Sequence, residues 1–124
     1  MITSEVDFYM DTFENTVLNS ISSAIIQFAD HNAFCIHDQF YTYRQFGECI
    51  ERIRNTLRQA KFQCPYVGLI GNDDIETYAS IFAVWFEHLA YVPISTEWPE
   101  DRRESVIQQI GMEIILDSGN TVYT

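Results

Sequence analysis

Residues 66–94, YVGLIGNDDIETYASIFAVWFEHLAYVPI, decide the fold of this chain. Tyr66 to Ile70 form a short apolar run closed by Gly71-Asn72-Asp73-Asp74, the pattern of a buried strand followed by a tight loop and a helix cap. Residues 75–89 are apolar nearly all round, through Ala79, Ile81, Phe82, Ala83, Val84, Trp85 and Phe86. They predict a helix covered on several sides. A strand over 91–94 follows. Pro99 then fits the first turn of a helix, where its missing N–H costs little, and that helix runs to about Ile110 with Gly111 capping its end. Residues 112–116 read as a further strand, and 122–124 as the start of another. Strands alternating with helices predict a partly parallel sheet with right-handed crossovers and flanking helices, an α/β fold.

Upstream, Phe13, Val17, Ile21, Ala24 and Phe28 recur at three- and four-residue steps and predict a helix over 11–29. Asp11 is expected as its N-cap, with Glu14 completing a box-like pattern. Residues 33–36 and 40–42 predict a hairpin across His37-Asp38-Gln39, a turn whose type is left open by the lack of glycine. Thr42 and Gln45 form a T-x-x-Q capping box opening a helix over 43–60. That helix is expected to bury Phe46, Ile50, Ile53 and Leu57, and to turn Arg44, Glu48, Glu51, Arg54 and Arg58 to solvent.

A length of 124 residues suits one domain, spanning 1–124, and allows roughly two-thirds of the unfolded surface to be buried. Seven Lys+Arg against 18 Asp+Glu give a net charge of −11, which argues against nucleic acid and anionic membranes as partners. The acidic residues are dispersed and read as a solvated surface. Cys35, Cys49 and Cys64 lack metal-ligand or disulfide spacing. Cys35 and Cys49 are expected in the core and Cys64, before Pro65, as the more exposed thiol. Free thiols fit a reducing cytoplasm. No basic-then-apolar leader opens the chain, and the most apolar stretch, 78–94, is interrupted by Glu87, His88 and Pro93.

Tests for chemistry turn up no complete constellation. Neither G-x-G-x-x-G nor G-x-x-x-x-G-K-[ST] occurs, and the G-N-D-D loop presents carboxylates where a phosphate cradle needs free N–H groups. Asp73 and Asp74 could start an acidic metal pocket of the response-regulator kind, but the next strand ends at Ser95 and Thr96, and no Lys follows Asp117. Helix capping is the better reading of the pair. His31 and His37 read as turn residues and His88 as a residue near a helix end, so no catalytic triad is indicated. Arg102 and Arg103, among Glu100, Asp101 and Glu104, read as local ion pairs, with no support for anion recognition.

Taken in order, these segments resemble the beginning of the adenylate-forming enzymes, which include acyl-CoA synthetases, luciferases and the adenylation domains of nonribosomal peptide synthetases. Phe40-Tyr41-Thr42-Tyr43-Arg44-Gln45-Phe46 is similar to the first core motif L-T-Y-x-E-L, with Gln45 in place of Glu. Residues 64–69 resemble the strand of G-D-x-V-A-I. Residues 85–95 resemble L-K-A-G-x-A-Y-V-P-L-D: Ala90-Tyr91-Val92-Pro93 match, Phe86-Glu87-His88 replace Lys-Ala-Gly, and Ser95 replaces Asp. Trp98-Pro99-Glu100-Asp101-Arg102 echoes the Y-P-x-x-R that follows.

The resemblance implies the first subdomain of such an enzyme: a ligase using ATP and Mg²⁺ to form an acyl- or aminoacyl-adenylate, then passing the acyl group to a thiol. The family's phosphate loop, nucleotide contacts and catalytic Lys come later, and none has a counterpart in these residues. No catalytic, cofactor-binding or metal residue is therefore carried over. Thr42, Tyr91 and Pro93 match motif positions and read as structural: a cap, a packed ring and a fixed backbone. The chain alone is expected to be inactive and to hold no cofactor. Its expected partners are the remainder of the parent enzyme, a carrier protein or CoA, and a second copy of itself through exposed apolar surface. The alternatives are a non-catalytic module docking on a carrier protein or partner synthetase, and an unrelated flavodoxin-like domain.

Overall fold

The parallel sheet is present in a computed structural model that describes residues 5–120. In chain order the elements are α1 (Glu5–Gln27), β1 (Asn32–Ile36), β2 (Gln39–Thr42), α2 (Tyr43–Gln59), β3 (Tyr66–Ile70), α3 (Ile75–Phe86), β4 (Ala90–Ile94), α4 (Glu100–Ile110) and β5 (Ile115–Leu116), followed by a 3₁₀ turn at Ser118–Asn120. The sheet order is β4-β3-β5, with β3 parallel to both neighbours. The connection through α3 moves one way along the sheet and that through α4 moves back. Two right-handed crossovers of opposite direction must cover opposite faces.

Alternation along β3 sorts the core accordingly. Val67 and Leu69 join the larger cluster, which α2, α3 and the β1–β2 hairpin complete through Phe46, Ile50, Ile53, Leu57, Ala79, Ala83, Val84 and Ile36. Ile70 faces the other way, where Ile94 and Met112 meet Val106, Ile107 and Ile110 of α4. Gly68 points into this second layer. A β-carbon there would lie 2.7 Å from Ile94 Cδ1 and 3.1 Å from Ile115 Cγ1, so the space a side chain would fill is already taken by the neighbouring strands.

The first helix differs most from its sequence reading. It already runs at Glu5, so Asp11 lies within the helix and is not its N-cap. No Gly or Pro in residues 5–10 interrupts the helical run. Its inward face is Leu18, Ile21 and Ile25, at i, i+3 and i+7, whereas Phe28 lies beyond the helix end and is 41% exposed against His31 and Tyr43. The side chain of Phe13 and the expected strand at 122–124 lie outside the described residues. Helix α3 ends at Phe86, three residues before the expected Leu89, because His88 adopts a left-handed φ of 59°. The expected five-residue strand at 112–116 shortens to β5, since only Ile115 and Leu116 pair with β3.

The hairpin turn is resolved. Ile36 pairs with Gln39, leaving His37 and Asp38 as a two-residue loop at φ 51° and 63°. Positive φ at both positions is the type I′ arrangement, whose twist matches the strands. Cys35, expected in the core, is exposed: it lies between inward-facing Phe34 and Ile36, and a period of two turns it outward. Cys49 is buried on α2 and Cys64 half-buried, with its thiol donating to the Ile110 carbonyl at 3.7 Å. Among the described residues, no helix is long and apolar enough to cross a membrane.

Candidate functional site

In open parallel sheets the crevice outside the strand carboxyl ends, where the chain reverses its direction across the sheet, is the place a ligand is expected. Here that crevice lies beyond β3 and β5. The chain's own polar side chains bond to one another there. Asp74, the N-cap of α3, accepts from the Thr77 backbone N–H at 2.9 Å and the Thr77 hydroxyl at 2.7 Å, and its other oxygen accepts from the Ser118 hydroxyl. Asn72 donates its amide N–H groups to Asp117 Oδ1 and Ser118 Oγ, both at 3.1 Å, and its backbone N–H to Thr77 Oγ1 at 3.1 Å. Asp117 also accepts from the Gly119 N–H at 3.0 Å. Burial pushes the Asp74 carboxyl up, but the donors from Ser118 and Thr77 outweigh it and hold the group below its ordinary value. A carboxylate so occupied is an anchor, not a free base.

Asp73 does not join it. Its carboxylate and its backbone carbonyl each lie 3.1 Å from His37 Nε2, tying the hairpin turn to the loop after β3. The two adjacent acids therefore serve different elements, and capping, the reading preferred for the pair, holds for Asp74. Sequence reasoning missed Thr77 and Ser118. Asp-x-x-Thr at the start of a helix was a readable signal for the first, while only the sheet order brings Ser118 across 44 residues.

The motif residues make local structural contacts. Thr42 accepts from the Gln45 N–H at 3.1 Å and its own N–H donates to Gln45 Oε1 at 2.8 Å, the reciprocal box expected. Tyr91 packs on the core with its ring centroid 6.1 Å from that of Trp85. Pro93 sits in β4 opposite Leu69 of β3. A proline is tolerated there because β4 is an edge strand.

Charged residues are placed less simply than a solvated face would have them. Arg54 and Arg58 of α2 reach across to Glu87, the C-cap residue of α3, through bonds of 3.1 Å from Arg54 Nε, 2.7 Å from Arg58 Nε and 3.2 Å from Arg58 Nη2. Burial pushes the Glu87 carboxyl up, and the two guanidiniums overcome this and hold it below its ordinary value. Arg102, read as a local ion-pair partner, instead lies 4.9 Å above the centroid of the Trp98 ring. Between α1 and α2 a groove of about 610 Å³ is lined by Ile25, Ile26, Ile50 and Phe86 together with Glu48 and Arg54.

Among the described residues no group of three His, Cys, Asp or Glu side chains converges as the ligand set of a metal ion. No step through ATP or Mg²⁺ derives from these side chains.

Comparison with known proteins agrees with the motif order. The chain is 34% identical over 88 residues to gramicidin S synthase 2 of Brevibacillus brevis, an alignment covering 70% of this chain and 2% of that protein. Bacitracin synthase 2 of Bacillus licheniformis is 32% identical over 88 residues, covering 70% and 3%. The chain thus spans a few per cent of the length of these relatives. In three dimensions it is similar to the Klebsiella oxytoca NpsA N-terminal subdomain, with a TM-score of 0.69 at 18% identity over 82% of this chain and 27% of that one. It is also similar to PA1221, a protein containing adenylation and PCP domains, with a TM-score of 0.70 at 19% identity over 82% and 21%. Residues 22–122 match the AMP-binding enzyme family, so this chain, from its capping box to the strand carrying Ala-Tyr-Val-Pro, belongs to that family and corresponds to an N-terminal part of its fold.

Proposed function

We propose that this chain is the amino-terminal framework of an ATP-dependent ligase that activates a carboxylate as an acyl- or aminoacyl-adenylate and passes it to a thiol. The observation that carries the reading is the placement of Ala90-Tyr91-Val92-Pro93 as a strand parallel to β3, joined in sequence order to the Thr42–Gln45 box. On this reading residues 1–124 form a single domain without catalytic, cofactor-binding or metal residues. Its polar crevice and its clamped helix ends shape a scaffold. Transition-state charge in adenylate formation needs a cation and a metal ion, and these belong to other parts of the enzyme. The peptide-synthase relatives and the adenylation–PCP neighbour favour an amino-acid substrate and a carrier-protein thiol as acceptor.

Carboxylate-dependent exchange between ATP and pyrophosphate tests the proposal. The product of the complete reading frame containing this sequence should exchange, and the 124-residue chain should not. Exchange by the isolated chain would overturn the scaffold reading; a complete product silent with every proteinogenic amino acid and common carboxylate would overturn the ligase reading. Self-association belongs to the same proposal. Ile26 is 81% and Phe40 61% exposed, apolar surface that a framework would present to a neighbour. Light scattering at high protein concentration should give a mass above the monomer's 14.5 kDa.

A further inference from the structure

We propose that the turn from α3 into β4 is a latch: a strained left-handed residue, His88, held in place by the arginine clamp on Glu87, so that clamp and turn open as one unit ahead of the rest of the fold. The turn is a Schellman motif. His88 N–H donates to the Trp85 carbonyl and Leu89 N–H to the Val84 carbonyl, both at 3.0 Å, while His88 sits at φ 59°. This arrangement favours glycine at the left-handed position, because a β-carbon there crowds the backbone. Something else has to hold the turn closed, and the adjacent residue is suited to do so.

The Glu87 side chain is 15% exposed and takes three charge-assisted bonds from two arginines one helical turn apart on α2. Arg54 is fixed in turn by Glu51 at 2.9 Å and lies 4.9 Å from the centroid of the Phe86 ring, so the clamp grips both Glu87 and the last residue of the helix before it. Downstream, the Ala90 N–H donates to the Pro65 carbonyl at 3.0 Å, and the register of β4 on β3 starts there. Releasing Glu87 removes what opposes the return of His88 to an ordinary φ. The Leu89 and Ala90 bonds are then lost first, while Val84, Val67 and Leu116 stay packed. Phe86 and Arg54 also line the groove between α1 and α2, so the same opening changes that groove's wall.

Amide hydrogen exchange on the chain tests this. Glu87→Gln should speed exchange at Leu89 and Ala90 by about tenfold relative to amides in the middle of α2. His88→Gly alone, which relieves the strain, should slow exchange at Leu89 and Ala90 by about fivefold, and Glu87→Gln in that background should bring it back to within about threefold of the unsubstituted chain, because strain and clamp act on one opening. No slowing at Leu89 and Ala90 in His88→Gly alone would show that the turn stores no strain and would overturn the proposal. So would acceleration spread evenly over α2 and β3, which would mean global unfolding. Should Glu87→Gln fail to fold, Arg58→Gln removes two of the three bonds from a more exposed position and is read in the same way.

Discussion

At His88 the backbone carries a cost that a single substitution can remove. The residue is exposed, and its φ of 59° is one that only glycine adopts freely. Replacing it by glycine trades the β-carbon's crowding against a more flexible unfolded chain. The first effect is the larger where the native φ is positive, so His88→Gly should stabilise by about 1 kcal/mol. Urea unfolding should show a higher midpoint at unchanged slope; a lower midpoint would mean that the imidazole makes a contact worth more than the strain. The thiols make a second prediction at this scale. Cys35 is exposed, whereas Cys49 is buried and burial pushes its thiol up, only partly offset by Arg52. A thiol-specific reagent at a pH of about 8 should label Cys35 rapidly in the native chain and Cys49 only on unfolding. Rapid native labelling of Cys49 would contradict the packing of α2.

Helices α2 and α3, both capped by side chains, differ in what their caps touch. Thr42 and Gln45 satisfy each other at an exposed corner, so Thr42→Ala should cost about 1 kcal/mol, the usual value of a lost N-cap. Asp74 caps α3 and also receives Ser118 from beyond β5, so Asp74→Ala leaves Thr77 and Ser118 without their acceptor and should cost about 2–3 kcal/mol. Equal losses in denaturant titrations of the two variants would show that the Ser118 contact contributes nothing. The contrast also shows which elements were legible beforehand. β3, the α2 core face, the Thr42 box and the αL cap at Gly111 depend on neighbours in sequence, and pattern alone reached them. The facts that escaped it depend on distant residues or on two-sided geometry. Ser118 reaches Asp74 only through sheet order, Glu87 meets Arg54 and Arg58 only through helix packing, and the outward turn of Cys35 follows from which hairpin face met the core. The early end of α3 was hidden because histidine gives no left-handed signal of the kind glycine gives at 111.

For the molecule as a whole, two depressed carboxyls couple stability to acid. The ordinary values are 3.8 for Asp74 and 4.5 for Glu87, and both groups lie lower in the folded chain. A carboxyl whose folded value is depressed binds fewer protons folded than unfolded, so its contribution is complete above the ordinary value and is lost as pH falls through the lower, folded one. Stability should therefore be insensitive to these two groups from a pH of about 7 down to about 5, and should fall steeply below about 4. The two sites sit at opposite ends of α3, its N-cap and its C-cap, so acid releases both ends of the helix that packs on the sheet and on α2. Glu87→Gln and Asp74→Asn each remove one titration. Each should lower the urea midpoint at neutral pH while shrinking the further loss between about pH 5 and pH 3, and the double variant should show the smallest acid loss of the set. An acid loss that is the same in all four proteins would place the sensitivity in the dispersed surface carboxylates, the source of the net charge of −11, instead of in the anchored ends of α3.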